Sequence, residues 1–400
     1  MSDLRGQFRV VNDSPKERPK KSFETRLKRR KFARAYKCAL IISVIAAGII
    51  AYLIYEKTKI YETYSVASSV KRSEAAGLKL ADFNGNLLTY SKDGAGATDP
   101  DGNLLWNMTF DMQTPMMAMK GGMVAFADYG GSKVYVQSEK GENVEISTAM
   151  PISKIRISSN GYILAVLEDS DVTWIYMYDM NGTVIAYFRT TMEKSGYPID
   201  VDISDDGELV CVSYYYLDSN EEKSSVAFYN FGSVGQNNID NYVSGYNYTD
   251  KLVPKVLFLN NSSAVSVSED SINFYAGEHK PVNIGTPFLC DNLLSVFSGK
   301  DMVGLVFDNE ANGTKYRLDV YDAKSNLLCQ KEFDFDYSMI AFSKDVFVIC
   351  GDSSLYIGTY SGDMKYEGNY SEDIVLVIPT VVQNKFVFVT EKSIDTVEFD

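Results

Sequence analysis

A turn that returns about every forty residues constrains this chain more than any other feature of it. Asp99, Ser138, Asp179, Asn230, Asp322 and Thr359 each stand three positions before a Gly or Ser, at Gly102, Gly141, Gly182, Ser233, Ser325 and Gly362. A degraded copy falls near Ala276. Most steps are about 37–46 residues, and the one long step, of about 51, coincides with a polar insertion at 218–224. The same unit surrounds each turn, most clearly at 151–190. Ile152–Ile157 reads as a strand, Ser158–Gly161 as a turn and Tyr162–Leu167 as a second strand. Thr173–Asp179 is a third strand, Met180-Asn181-Gly182 a turn and Thr183–Arg189 a fourth. Each strand is short, rich in β-branched and aromatic residues, and bounded by Gly, Asn, Asp or Ser. A period near 40 with four strands per unit is the signature of an all-β propeller.

The second strands add a regularity of their own. They read, for example, MVAFAD (123–128), YILAVLED (162–169), SAVSVSED (263–270) and KFVFVTE (385–391), and many of them are apolar on both faces with a small residue in the middle. Strands sandwiched between neighbouring blades have that composition. Units start near Gly77, Thr114, Pro151, Pro198, Leu252, Pro287 and Tyr337, and an eighth begins at Ile374. The eighth stops at Asp400 before its fourth strand, while Ile60–Lys71 is strand-like and belongs to no unit. Pairing that segment with the last unit would close the ring and remove two open sheet edges. The expectation is an eight-bladed β-propeller with an N-terminal clasp, seven blades being the alternative.

Ahead of the repeats lies Cys38–Tyr55, CALIISVIAAGIIAYLIY, eighteen residues without a formal charge. As a helix it would span about 27 Å, close to the hydrocarbon thickness of a bilayer. Residues 1–37 carry about thirteen Lys and Arg against about four acids, so the net charge of −14 conceals a tail near +9 and a remainder near −23. Excess Lys and Arg beside a span mark its cytoplasmic side. A signal peptide has a shorter apolar run and a shorter basic lead. The reading is one uncleaved transmembrane helix with the N-terminus cytoplasmic and the propeller outside the cytoplasm. The divisions are then a basic tail at 1–37, the span at 38–55, a neck and clasp strand at 56–72 and the propeller at 73–400. Residues 1–21 read as disordered, and from Ser22, a plausible N-cap with Glu24 in the first turn, a basic helix runs into the span. Its cations would contact anionic lipid. No zinc-finger or helix-turn-helix spacing supports a nucleic-acid partner. Within the span, Ala39, Ser43, Ala47 and Ala51 recur every four residues, with Gly48 beside them. That face would permit a weak homodimer, although small residues are common in any span.

The segment Ala97-Thr98-Asp99-Pro100-Asp101-Gly102-Asn103-Leu104-Leu105-Trp106 resembles the blade signature A-x-D-x-x-x-G-x-x-L-W of quinoprotein-like propellers, with one residue fewer before the Gly. Tyr178-Asp179 with Gly182, and Tyr321-Asp322 with Ser325, are weaker copies that lack the Trp. From about residue 30 to 400 the chain is similar to an uncharacterised family, a domain of unknown function, of single-pass propeller proteins from Gram-positive gut bacteria. The resemblance implies the fold and hardly any function, because a propeller hosts many.

Specific chemistry finds little support in the residues. Quinone-dependent dehydrogenases of this blade type use adjacent cysteines, whereas Cys38, Cys211, Cys290, Cys329 and Cys350 are scattered. Cys290 and Cys329 lie near blade ends, where a bridge between them is conceivable. His279, the only histidine, sits in the polar turn GEHKP and would have to serve any triad or metal centre. Asp99–Gly102 and Asp205-Asp206-Gly207 lack the length of a calcium loop and read as hairpin turns. No catalytic residue, cofactor or metal ligand is assigned. Tyrosines concentrate at Tyr214, Tyr215, Tyr216, Tyr242, Tyr246 and Tyr248, flanking the long insertion. Tyr with Asn and Gly is typical of recognition surfaces, so these six are the candidate surface for a protein or envelope polymer. The functional expectation is a non-enzymatic, extracytoplasmic binding or scaffolding module held on the cell membrane. The alternatives are a sensor signalling through the basic tail and an enzyme acting on envelope glycans or peptides.

Overall fold

A computed structural model describes residues 23–72, 77–170, 172–191, 195–218, 221–289 and 292–400. The expectations for residues 1–22, Ser22 as a cap among them, and for Cys290 lie outside the described residues. The chain divides into two units after Lys59.

The first unit contains one helix, Phe23–Thr58, of 36 residues. It runs from the basic stretch through the whole of 38–55 without a break, because neither part contains Pro and the only Gly is Gly48. Cys38, Ala39, Ser43, Ala47, Gly48, Ala51 and Tyr55 are all exposed on it. Among the described residues no helix is long and apolar enough to cross a membrane.

The second unit is all-β. Its strands form eight four-stranded antiparallel sheets, each a consecutive meander except the last. Seven blades occupy 79–109, 115–147, 152–190, 197–249, 255–289, 293–333 and 339–369. The eighth takes Ile374–Pro379, Lys385–Thr390 and Ser393–Phe399 from the C-terminal end. Its outer strand is Tyr64–Lys71, paired antiparallel with Ser393–Phe399 from Tyr64↔Phe399 to Lys71↔Ser393. The clasp expected from the orphan segment is therefore present. It is fastened at both ends: the Arg72 N–H donates to the Lys392 carbonyl at 2.7 Å, and the Asp400 N–H to the Thr63 carbonyl at 3.0 Å. Ser69 Oγ bonds Asp395 across the pair, and Tyr61, 4% exposed, packs against Phe399.

The core is distributed around the ring. Eight buried clusters each join neighbouring blades: Ile152, Ile155 and Leu167 meet Val134 and Val136 between the second and third, and Leu87 meets Leu376, Ile378 and Val389 between the first and eighth. The second strands are buried along nearly their whole length, as in Met123–Asp128, Ser263–Val267 and Val346–Cys350. Both faces are apolar because each face meets a different blade.

The recurring turn has a hydrogen-bonding cause. Asp179 Oδ1 accepts the N–H groups of Asn181 and Thr183, and the Gly182 N–H returns to the Asp179 carbonyl at 3.0 Å. Asp99 and Asp322 repeat the arrangement with Asn103 and Asn326, and Ser138 and Thr359 do so with hydroxyls. Gly102, Gly141, Gly182, Gly362 and Ser325 take positive φ three residues on, the conformation in which Gly is least strained.

One boundary differs from expectation. Pro287 does not open the sixth blade; it lies in the outer strand of the fifth, Val282–Leu289, and the sixth starts at Leu293. Gly285 has φ +82° and the pairing shifts register between Ile272 and Phe274. A Gly–Pro pair inside a bulged edge strand carries the same signals as an inter-blade turn. The polar insertion lengthens a hairpin in the fourth blade, whose second and third strands are Leu209–Asp218 and Glu221–Asn230.

Candidate functional site

Two inner strands carry charges at alternate positions within otherwise apolar sequence. Ile152–Ile157 (ISKIRI) presents Lys154 and Arg156, and Tyr197–Ile203 (YPIDVDI) presents Asp200 and Asp202. Alternation along a strand puts each pair on one face. Asp200, 3% exposed, accepts from Arg156 Nη2 at 2.7 Å and Lys154 Nζ at 3.4 Å, with Lys255 Nζ at 3.9 Å. Its Oδ2 also accepts the Val256 N–H at 3.1 Å, and Asp202 Oδ2 accepts the Phe258 N–H at 2.6 Å. The two carboxylates thus fasten the inner strand of the fourth blade to the backbone of the fifth. Pairing and backbone donors are what make a buried carboxylate tolerable. Burial pulls the pKa of Lys154 below the usual lysine range; Asp200 opposes that, and Arg156 and Lys255 add repulsion.

Arg156, Asp202 and Lys255 border a cavity of about 800 Å³ at the end of the central channel where first and second strands turn into each other. Asp82, Lys120, Arg156, Asp202, Lys255 and Lys300, one from each of six successive blades, contribute charges to its wall. Lys120 reaches from the second blade to the fourth, donating to the Ile203 carbonyl at 2.7 Å and pairing with Asp205 at 3.1 Å. Its ammonium also lies 5.9 Å from the Phe258 ring centroid. Burial raises the Asp82 carboxyl above its ordinary value, against a hydrogen bond from the Gly85 N–H that lowers it. Lys300 is exposed.

The six tyrosines proposed as one surface fall on two faces of the fourth blade. Tyr214, Tyr216, Tyr242 and Tyr246 contribute to a cleft of about 480 Å³ with Tyr229 and Asn247. Tyr214 is buried, and its hydroxyl bonds that of Tyr229 at 2.8 Å. Burial pushes the Tyr214 phenol well above its usual range and that of Tyr229 up to about 12. Tyr242 is 47% exposed and meets the Tyr229 ring edge-on. The Tyr246 hydroxyl is committed to the fifth blade: it donates to the Pro281 carbonyl at 3.2 Å and accepts the Asn283 N–H at 3.0 Å. Tyr248 joins its hydroxyl to that of Tyr275 at the same junction. Tyr215 pairs with Ser224, opposite in face to Tyr214 and Tyr216.

Residues 56–399 match the family model DUF5711, described as a family of unknown function. The chain belongs to the DUF5711 family. No curated protein matches this DUF5711 sequence. Among solved structures, BamB from Moraxella catarrhalis is similar at 10% identity and a TM-score of 0.50, covering 84% of this chain and 100% of that one. A eukaryotic initiation factor is similar at 13% identity and a TM-score of 0.52, covering 86% and 88%. At such identities the likeness concerns the propeller fold alone.

Other candidates are placed as follows. His279 is exposed in its turn, its carbonyl accepting from Asn230 Nδ2 at 3.1 Å. Cys211, Cys329 and Cys350 are buried free thiols; burial lifts Cys329 and Cys350 to about 12. Among the described residues no group of three or more His, Cys, Asp or Glu side chains is arranged to hold a metal ion. The channel cluster is what the reading of the sequence missed. Its signal was visible locally, as charges of one sign at every second position of an inner strand, with the opposite sign one repeat later.

Proposed function

We propose that this DUF5711 protein is a non-enzymatic binding or scaffolding module anchored to the cell membrane, its N-terminus cytoplasmic and its propeller outside. The reading rests chiefly on the helix. Its eighteen-residue run from Cys38 to Tyr55 has no formal charge, and Leu40, Ile42, Val44, Ile49 and Ile54 on it are all more than half exposed. A helix that is apolar all round needs either a protein core or lipid to cover it. The basic residues ahead of the run set the orientation and contact anionic lipid. Beyond it, residues 59–63 lead to the clasp strand. The propeller supplies the binding part, and the tyrosine cleft of the fourth blade is the surface proposed for a protein or envelope-polymer partner.

The test is topological. Native thiols are replaced, a single Cys is introduced at Ser2 or Ser361, and intact spheroplasts are treated with an impermeant maleimide. Labelling at 361 and not at 2 is expected. The reverse pattern, or release of the protein from membranes by alkaline carbonate, contradicts the reading.

A further inference from the structure

We propose that the channel mouth is a binding site for an anionic group, a carboxylate or a phosphate, held by Lys255 and Lys300. The inference rests on the propeller being a binding module and adds the class of ligand. Most carboxylates at the mouth are already committed. Asp200 and Asp202 accept the Val256 and Phe258 N–H groups and face Arg156, and Asp205 pairs with Lys120. Lys255 only borders this network, 3.9 Å from an Asp200 oxygen that already takes a backbone N–H, and its side chain is 49% exposed. The exposed Lys300 ammonium makes no ion pair or hydrogen bond among the described residues. Four cations, Lys120, Arg156, Lys255 and Lys300, thus line the mouth with three acids, Asp82, Asp202 and Asp205.

That balance is unlike the rest of the unit. The chain beyond residue 37 is strongly acidic, so an anion is repelled over most of the surface. A spot of opposite sign inside a concave wall is where an anion gains most, because field lines concentrate there and charge-assisted hydrogen bonds are strong. A cavity of about 800 Å³ is larger than one phosphate or carboxylate, so the anionic group would belong to a longer molecule.

The experiment is isothermal titration of the full-length protein in detergent micelles at low salt, with inorganic phosphate and separately with triglutamate. Saturable one-site binding of at least one probe is expected, weakening with added salt. Lys255→Gln and Lys300→Gln should each weaken it about tenfold, whereas Lys133→Gln, on the second blade and paired with Glu145, should leave it unchanged. Binding of phosphate alone assigns a phosphate source, and binding of triglutamate alone a carboxylate source. Melting temperatures of the variants verify that they fold; Lys300 is exposed and should melt as the parent does. Absence of saturable binding by either probe, or binding indifferent to both lysine substitutions, overturns the proposal. Such a failure leaves membrane attachment untouched, because the maleimide experiment reads that separately.

Discussion

Replacing Asp200 by Ala would leave Arg156, Lys154 and Lys255 facing one another around an empty position, with the Val256 N–H unpaired. Removing one partner of a buried ion pair costs about 3–5 kcal/mol, mostly because charge is left uncompensated. At this size each kcal/mol lowers the melting temperature by roughly 1–2 °C, by extension of the trend with chain length. Asp200→Ala should therefore melt about 3–10 °C below the parent. Asp200→Asn keeps an acceptor for Val256 and loses only the charge, so its loss should be about half as large. The coupling is isolated by a double-mutant cycle with Arg156→Ala, read by calorimetry at fixed pH and salt. A coupling of more than about 1 kcal/mol is expected, since the 2.7 Å contact joins two largely buried groups. If Asp200→Ala melts within a degree of the parent, or if the cycle shows additivity, the carboxylate does not fasten the two blades.

Two further outcomes follow from the same structure. Ala39, Ser43, Ala47 and Ala51 share one exposed helix face, so if that face self-associates, Ala47→Leu should weaken a membrane-based dimerisation signal by severalfold; an unchanged signal would contradict self-association through that face. Asp179 sits below the usual carboxylate range, chiefly through the Thr183 N–H. Its stabilising effect is therefore complete above the unfolded-state value and is lost as the pH falls through the lower folded-state value. The advantage in melting temperature of the parent over Asp179→Ala should shrink from about pH 5 to about pH 2, and an advantage constant over that window would contradict the turn's ionic character.

What could be read from the sequence was what neighbouring residues decide together. The turn after the third strand is closed within five residues in five blades, as at Asp179–Thr183, so its signature recurs there; at Asn230 the side chain instead accepts the Gly235 N–H, and Ser233 does not take positive φ. The clasp was legible for a topological reason: a unit lacking one strand and a strand lacking a unit imply each other. The sixth blade was misplaced because Gly285 and Pro287, which look like punctuation, stand inside a bulged edge strand. The tyrosines were grouped by proximity along the chain, yet a strand sends Tyr214 and Tyr215 to opposite faces, and Tyr246 and Tyr248 are spent joining the fourth blade to the fifth. The channel mouth was hidden for the opposite reason. Its walls come from six blades about forty residues apart, and only ring closure brings Lys120, Asp205, Lys255 and Lys300 together.

Ring closure by the N-terminal strand is the claim on which the rest depends, and two chains test it. Residues 58–400 retain Tyr61 and the whole of Tyr64–Lys71, whereas residues 73–400 lose the partner of Ser393–Phe399 and expose that strand's edge. Unpaired edges invite association with other chains, and buried groups left without partners cost about 1–3 kcal/mol each. Melting and sedimentation of the two, measured side by side, should show the longer chain folded and monomeric. The shorter should melt several degrees lower or aggregate. Equal melting temperatures and equal solubility would contradict the clasp, and with it the eight-bladed ring.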